Sequence, residues 1–186
     1  LGMVHEGDIV VLAGSLPQGA PQDTYRVWTA ACREKGARVC LDADGVLLAE
    51  GLKAAPYLIK PNEDELSRLV GHRLTDTDEL IAEGRRLLKG GVTRVVISLG
   101  ERGALYLRGN EVLYAEGLSV PVGSTVGAGD SVVAALAYAD SLGMSDEDAV
   151  RLSTATGAAN VMCSGTQPAE REAVEKLLPQ VKIRRI

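Results

Sequence analysis

Phenylalanine is absent from the 186 residues, and one tryptophan and five tyrosines are the whole aromatic complement. Little surface is therefore offered for unpaired bases to stack on. A net charge of −5 gives no general attraction for a polyanion, so nucleic acid is excluded as a partner. The basic ending Lys182, Arg184 and Arg185 reads as the solvated rim of a terminal strand. Cysteine is scarce too. Cys32, Cys40 and Cys163 form neither a C-x-x-C pair nor a cluster with histidine, which excludes a disulfide framework and a zinc site. All three are expected as buried small apolar side chains in a reducing compartment. His5 and His72 have no recognisable partners and receive no role. No apolar run approaches the roughly 20 residues that span a bilayer, so no membrane association is expected. The opening stretch lacks the basic and small-residue flanks of a signal peptide; the expected setting is the cytoplasm. Two nucleotide devices are missing as well: there is no G-x-x-x-x-G-K-S/T, and no G-x-G-x-x-G follows an early strand. Any nucleotide must be held in another way.

Hydrophobic residues make up 46% and charged residues 24%, the balance of one ordinary globular domain. Strand-like apolar runs alternate with helical patterns, the mark of βαβ units around a mostly parallel sheet. Strands are expected at about 8–13, 38–42, 57–59 and 94–98. The first reads as buried, as though the chain were entered mid-fold, and the last as central because it is almost continuously apolar. Helices are expected at about 21–35, ending at Gly36, at 45–52, from a cap at Asn62 through Val70, and at 76–89. The runs 104–108 and 111–115, joined by Gly109-Asn110, read as an antiparallel hairpin. Three helices follow, near 128–142, 146–163 and 168–178, the last with Pro168 in its first turn. The expected architecture is an α/β fold, a three-layer α/β/α sandwich with a helical C-terminal third.

The chemistry is concentrated in Gly123-Ser124-Thr125-Val126-Gly127-Ala128-Gly129-Asp130, where a loop turns into an apolar helix. Small residues allow close backbone approach, while free amides and the helix dipole make an anion site. Asp130, in the first turn, can accept the proton of an attacking hydroxyl beside a held phosphoryl group. The plainer alternative is a tight turn with a helix-starting acid. Ser98, Gly100 and Gly103 end a central strand, where ligands of open α/β sheets collect, although a β-turn also explains the glycines.

Together with Lys60-Pro61-Asn62-Glu63-Asp64-Glu65-Leu66 and Ser98-Leu99-Gly100-Glu101-Arg102-Gly103-Ala104, this segment resembles the ribokinase-like carbohydrate kinases of the PfkB family, with the three motifs in the family's order. The resemblance covers nearly the whole chain, residues 1–186, read as the C-terminal nucleotide-binding and catalytic portion of a single ribokinase-like domain. It implies ATP and Mg²⁺ as cofactors and a phosphosugar substrate. It makes Asp130 the catalytic base that meets the substrate hydroxyl, and the amides of Gly127, Ala128 and Gly129 an anion hole. Lys60, Asn62, Ser98, Gly100, Gly103 and Asn160 become nucleotide contacts, with Asn160 near the adenine and helix-surface polarity its alternative. Asn62 and Glu65 hold Mg²⁺ largely through water, against the alternative of a cap and a solvated acid. Ser15 touches the phosphosugar, against that of a turn serine bonding its own backbone. Lys60 has solvent exposure as its rival reading.

Within the family, Gly14-Ser15-Leu16-Pro17 and the segment from Ser124 to Ser131 are most similar to the phosphosugar branch. This implies transfer to the free primary hydroxyl of fructose 1-phosphate, with kinases of tagatose 6-phosphate and fructose 6-phosphate as competitors. One departure stands out. Asp44 in Asp42-Ala43-Asp44-Gly45 occupies a position where relatives carry serine, and its added negative charge would oppose a phosphorylated substrate. The resemblance further implies that an N-terminal part and a lid, which carry much of the sugar site and support a homodimer in the complete protein, precede the region seen here. The chain alone is then expected to turn over poorly, since positioning supplies about 7–11 kcal/mol of an enzymatic barrier. A non-catalytic nucleotide-binding module and a nucleoside or unphosphorylated-sugar kinase are the competing readings.

Overall fold

The alternating apolar and amphipathic segments fold into an α/β structure in the computed structural model, which describes residues 2–186. In chain order the elements are β1 (Ile9–Ala13), α1 (Thr24–Glu34), β2 (Arg38–Asp42), α2 (Gly45–Leu52), β3 (Leu58–Ile59), α3 (Glu63–Val70), α4 (Thr77–Lys89), β4 (Arg94–Ser98), β5 (Gly103–Arg108), β6 (Glu111–Glu116), α5 (Ala128–Ser141), α6 (Asp146–Val161), α7 (Arg171–Leu177) and β7 (Ile183–Arg185). The seven strands are hydrogen-bonded in chain order. β1–β2, β2–β3 and β3–β4 pair parallel, and β6–β7 antiparallel. Only Gly109 and Asn110 join β5 to β6, a connection that antiparallel neighbours allow and parallel ones do not.

The chain divides into two compact units. One extends to Ile97 and includes Leu107–Asn110. Its core is built on Val39, Cys40, Leu41, Leu58, Ile59 and Val95, all fully buried, because covered parallel strands have no solvent face to leave polar. β1 departs from the expected buried strand, with Val11 45% exposed. Among the described residues it pairs with β2 alone, and it packs Val10 and Leu12 against Cys32, Ala37 and Val39. The strand's period of two then turns the intervening residues outward. α1 ends at Glu34 with Lys35 as its C-cap, and Gly36 just beyond has a φ of +78° that suits a left-handed helix terminus. α4 starts from Asp76, whose carboxylate accepts from the Glu79 amide at 2.9 Å.

The second unit holds Ser98–Tyr106 and Glu111–Ile186. Here α5 and α6 lie close because Gly157 leaves room for Val132: a Cβ on Gly157 would stand 2.7 Å from Val132 Cγ2. The buried Tyr106 hydroxyl bonds Ser153 Oγ (3.0 Å) and Thr154 Oγ1 (3.2 Å), fastening β5 to α6. α7 begins later than the proline signal suggests. Glu170 is extended and serves as its N-cap, so Pro168 lies before the helix. The basic ending is strand β7, with Arg184 over the Tyr114 ring and Arg185 paired with Glu111. Cys32 and Cys40 are buried as expected, whereas Cys163 is half-buried just beyond α6. His5 also has a partner after all: its exposed ring lies 3.8 Å from the Asp8 carboxylate. Among the described residues no helix is long and apolar enough to cross a membrane.

Candidate active site

In the second unit the loop before α5 arrives at the helix through Gly127, its N-cap, with φ +85° and ψ −5°. A left-handed N-cap with no side chain contributes no capping oxygen. Apart from Ala128 N, the amides of the first turn are therefore left to an external acceptor, at the positive end of a 14-residue helix. Gly127 O accepts from Ser131 N (2.9 Å) and starts the helical ladder. Ser124 Oγ accepts from Val126 N (3.2 Å) and Thr125 O from Ala128 N (3.4 Å), which shapes the turn before it. Asp130 stands third in the helix and is exposed. No hydrogen bond of its carboxylate to the helix end occurs among the described residues. The acid is thus not spent on capping.

In the same unit Leu99 N donates to Gly103 O (2.8 Å) and Arg102 N to Leu99 O (3.3 Å). This closes a 3-10 turn, Gly100–Arg102, between β4 and β5. Ser98 is half-buried at the strand end, and Gly100 is exposed on the turn. Asn160 is not the surface polar residue that the alternative reading of α6 suggested. It is 3% exposed; its Nδ2 donates to Gln167 O at 2.9 Å, and its Oδ1 is buried with no hydrogen-bond partner. That oxygen lies 3.5 Å from where a Cβ on Gly127 would stand. α6 therefore brings Asn160 beside the anion loop.

In the first unit Asn62 and Glu65 form a reciprocal cap on α3. Asn62 Oδ1 accepts from Glu65 N (2.8 Å) and Glu65 Oε2 from Asn62 N (3.0 Å). The cap half of the alternative reading is thus realised, while Glu65, half-buried and bonded to Asn62 N, is not the solvated acid it expected. Glu65 keeps its second carboxylate oxygen, a donor set that suits a water-bound hard cation better than direct enclosure. Among the described residues no group of three or more His, Cys, Asp or Glu gathers to cage a metal.

Lys60 is neither solvent-facing nor free. It is 7% exposed, and its Nζ lies 3.3 Å from Asp42 Oδ1. The pair follows from register: β2 and β3 are parallel neighbours with Leu41 opposite Ile59, so the residues after each meet at the same strand end. Asp44, expected to oppose a phosphorylated substrate, is also paired. It caps α2 through the Gly45 amide (2.6 Å) and meets Arg68 of α3 at 2.8 Å. Ser15 is exposed after β1, and no backbone bond of its hydroxyl occurs among the described residues. Sequence reasoning missed Tyr25, whose hydroxyl donates to both Ala13 O and Gly14 O at 3.0 Å and braces the turn that carries Ser15. Its signal was a tyrosine on the inward face of α1.

Comparison with known proteins shows what the chain is similar to. The family model described as pfkB family carbohydrate kinase matches residues 2–173. A 1-phosphofructokinase of Bacillus subtilis is 39% identical over 98% of this chain and 60% of its own length, and one of Haemophilus influenzae is 38% identical over 95% and 56%. The crystal structure of phosphofructokinase-2 from Escherichia coli in complex with fructose-6-phosphate superposes with a TM-score of 0.87 at 30% identity, covering 95% of this chain and 57% of that one. The chain thus spans somewhat under two thirds of the length of these relatives. With the glycine-capped helix, its exposed acid and a family match over almost every residue in hand, the chain belongs to the pfkB family of carbohydrate kinases.

Proposed function

We propose that this chain serves ATP-dependent phosphoryl transfer to a phosphosugar, with fructose 1-phosphate as acceptor and fructose 1,6-bisphosphate as product, in the cytoplasm and in a protein that pairs as a homodimer. The observation that carries the reading is Asp130: an exposed carboxylate in the first turn of a helix whose cap is a left-handed glycine and whose acid makes no cap. Asp130 takes the proton of the sugar's primary hydroxyl as its oxygen attacks the γ-phosphorus. The bond from that phosphorus to the bridging β–γ oxygen breaks, and ADP departs. The amides of Gly127, Ala128 and Gly129 donate to the charge that develops, and loss of one such donor costs about 3–4 kcal/mol in comparable sites. Ser98, Gly100, Gly103, Asn160 and Lys60 serve the nucleotide, and Ser15 the sugar. Bound Mg²⁺ would neutralise phosphate charge; Asn62 and Glu65 would hold it through water, using the Glu65 oxygen that the cap leaves over.

Fructose 6-phosphate is the second reading, favoured by the likeness to a phosphofructokinase-2 structure determined with that sugar. The test is a panel of fructose 1-phosphate, fructose 6-phosphate, tagatose 6-phosphate and fructose, given to the complete protein with ATP and Mg²⁺. Fructose 1-phosphate should have the highest kcat/KM. Asp130→Asn should lower kcat by about 10²–10⁴ and leave nucleotide affinity within a few-fold. Undiminished turnover by that variant removes the base from Asp130, and ATP consumption indifferent to every sugar favours a nucleotide-binding module instead.

A further inference from the structure

Between β6 and α5 the backbone is crossed twice at points where only a hydrogen fits, and both crossings lie in the second unit. At Gly117 a Cβ would fall onto the carbonyl oxygen of Glu101, 2.8 Å from its carbon and 3.0 Å from Gly103 N. The approach is mutual, since a Cβ on Gly103 would stand 2.6 Å from Gly117 N. Gly117 N donates to Arg102 O (3.2 Å), and the Tyr114 hydroxyl donates to the same oxygen (2.6 Å). At Gly123 a Cβ would meet Cys163 O at 2.5 Å, Met162 O at 2.8 Å and Cys163 C at 3.0 Å. Gly123 N and Ser124 N both donate to Val161 O, at 2.8 and 3.1 Å. Val161 and Met162 are the last residue and C-cap of α6, whose carbonyls the helix leaves without internal donors, and Cys163 follows them. Neither glycine has a positive φ, so closeness rather than conformational freedom demands them.

The atoms in the way are backbone, which cannot swing aside as a side chain end does. A methyl at either point must push the strap 117–123 off its support. Four residues after Gly123 stands Gly127, with the orphaned Oδ1 of Asn160 beside it. We propose that Gly117 and Gly123 are positioning residues of the phosphate site: they seat the strap on the Gly100–Arg102 turn at one end and on the end of α6 at the other. The direction of the Gly127, Ala128 and Gly129 amides is set by that seating. The inference deepens the kinase reading, from which it takes only the identity of the ligand.

The test uses the complete protein with Gly117→Ala, Gly123→Ala and, as control, Gly2→Ala, whose glycine has open space around it and no positive φ. Amide chemical shifts of Gly127, Gly129 and Asp130 are recorded without ligand, and ATP affinity is measured by calorimetry, below each variant's unfolding transition. Both crossing variants should move those amides well beyond the control and weaken ATP at least tenfold. Shifts and affinities no different from the control overturn the proposal. Should either variant fail to fold, hydrogen exchange of the unsubstituted protein decides: Gly123 and Ser124 amides should be as protected as the last turn of α6, and exchange at free-loop rates overturns it. Failure of the unsubstituted protein to bind ATP counts against the kinase reading and leaves the amide shifts and exchange to judge the seating.

Discussion

Replacing Lys60 by methionine should destabilise the protein with no nucleotide present. The side chains of Lys60 and Asp42 are 8% and 16% exposed, with Nζ and Oδ1 3.3 Å apart. At an effective dielectric of about 20 their attraction is roughly 5 kcal/mol, most of it offset by the desolvation of two ions. Methionine fills the space of the lysine stem but leaves the Asp42 carboxylate nearly buried with its cation gone. Breaking such a pair from one side costs about 3–5 kcal/mol, and the further interactions that Asp42 makes favour the lower end. For a chain of this length about 3 kcal/mol corresponds to a fall in Tm of roughly 6–12 °C. Urea unfolding of the ligand-free protein measures it. The double variant Asp42→Asn/Lys60→Met should recover at least half the loss, because no unpaired charge remains. If Lys60→Met leaves ligand-free stability within about 0.5 kcal/mol of the parent while ATP affinity collapses, the lysine answers to phosphates and not to Asp42, and the reasoning fails.

Two further substitutions separate structural from chemical roles. Asn62→Ala should cost about 1 kcal/mol by uncapping α3. Glu65→Gln preserves the reciprocal cap, since glutamine serves at that position; stability should hold while the Mg²⁺ concentration for half-maximal activity rises, and a magnesium titration that does not move denies Glu65 the metal role. Tyr106→Phe should cost about 1 kcal/mol at neutral pH by removing the bonds to the Ser153 and Thr154 hydroxyls, Ser153 keeping its own bond to Val150 O at 3.1 Å. Burial pushes the Tyr106 hydroxyl above its ordinary value of 10.0, against hydrogen bonds to Ser153 and Thr154 that pull it down. The folded state therefore keeps a proton that the unfolded chain releases. The resulting stability is complete below pH 10 and lost as pH rises beyond it. Urea unfolding at neutral pH and above pH 10 should find the alkaline loss shallower in the phenylalanine variant.

Signals that act within a few residues were legible before any coordinates. The Asn62 cap, the glycine stop at Gly36 and the buried run Arg94–Ser98 stand where local chemistry puts them, because each is decided by one helix end or one strand. What depends on a partner far along the chain was not legible. β1 reads as buried from its own composition, yet its exposure is decided by how many strands flank it. Lys60 is half of an ion pair whose other half comes from β2, and only parallel register brings them level. Asn160 sits on a helix of weak amphipathicity, where nothing local tells a buried amide from a surface one.

The candidate site divides along the same line. Gly127 was readable because its reason is internal: a left-handed φ at a helix start leaves amides unclaimed, and glycine before an apolar helix announces it. Gly117 and Gly123 carry no such mark, since their φ is ordinary and their reason is another stretch of backbone brought near only by the fold. Had Gly127 been the sole requirement, the loop would present amides in whatever direction its flexible leader allowed. A phosphate held for in-line transfer needs them aimed, and a loop tied only at the helix cannot aim them. Two fixed crossings upstream give the loop a defined approach to the helix, which is why the chemically silent glycines matter to the one whose chemistry is plain.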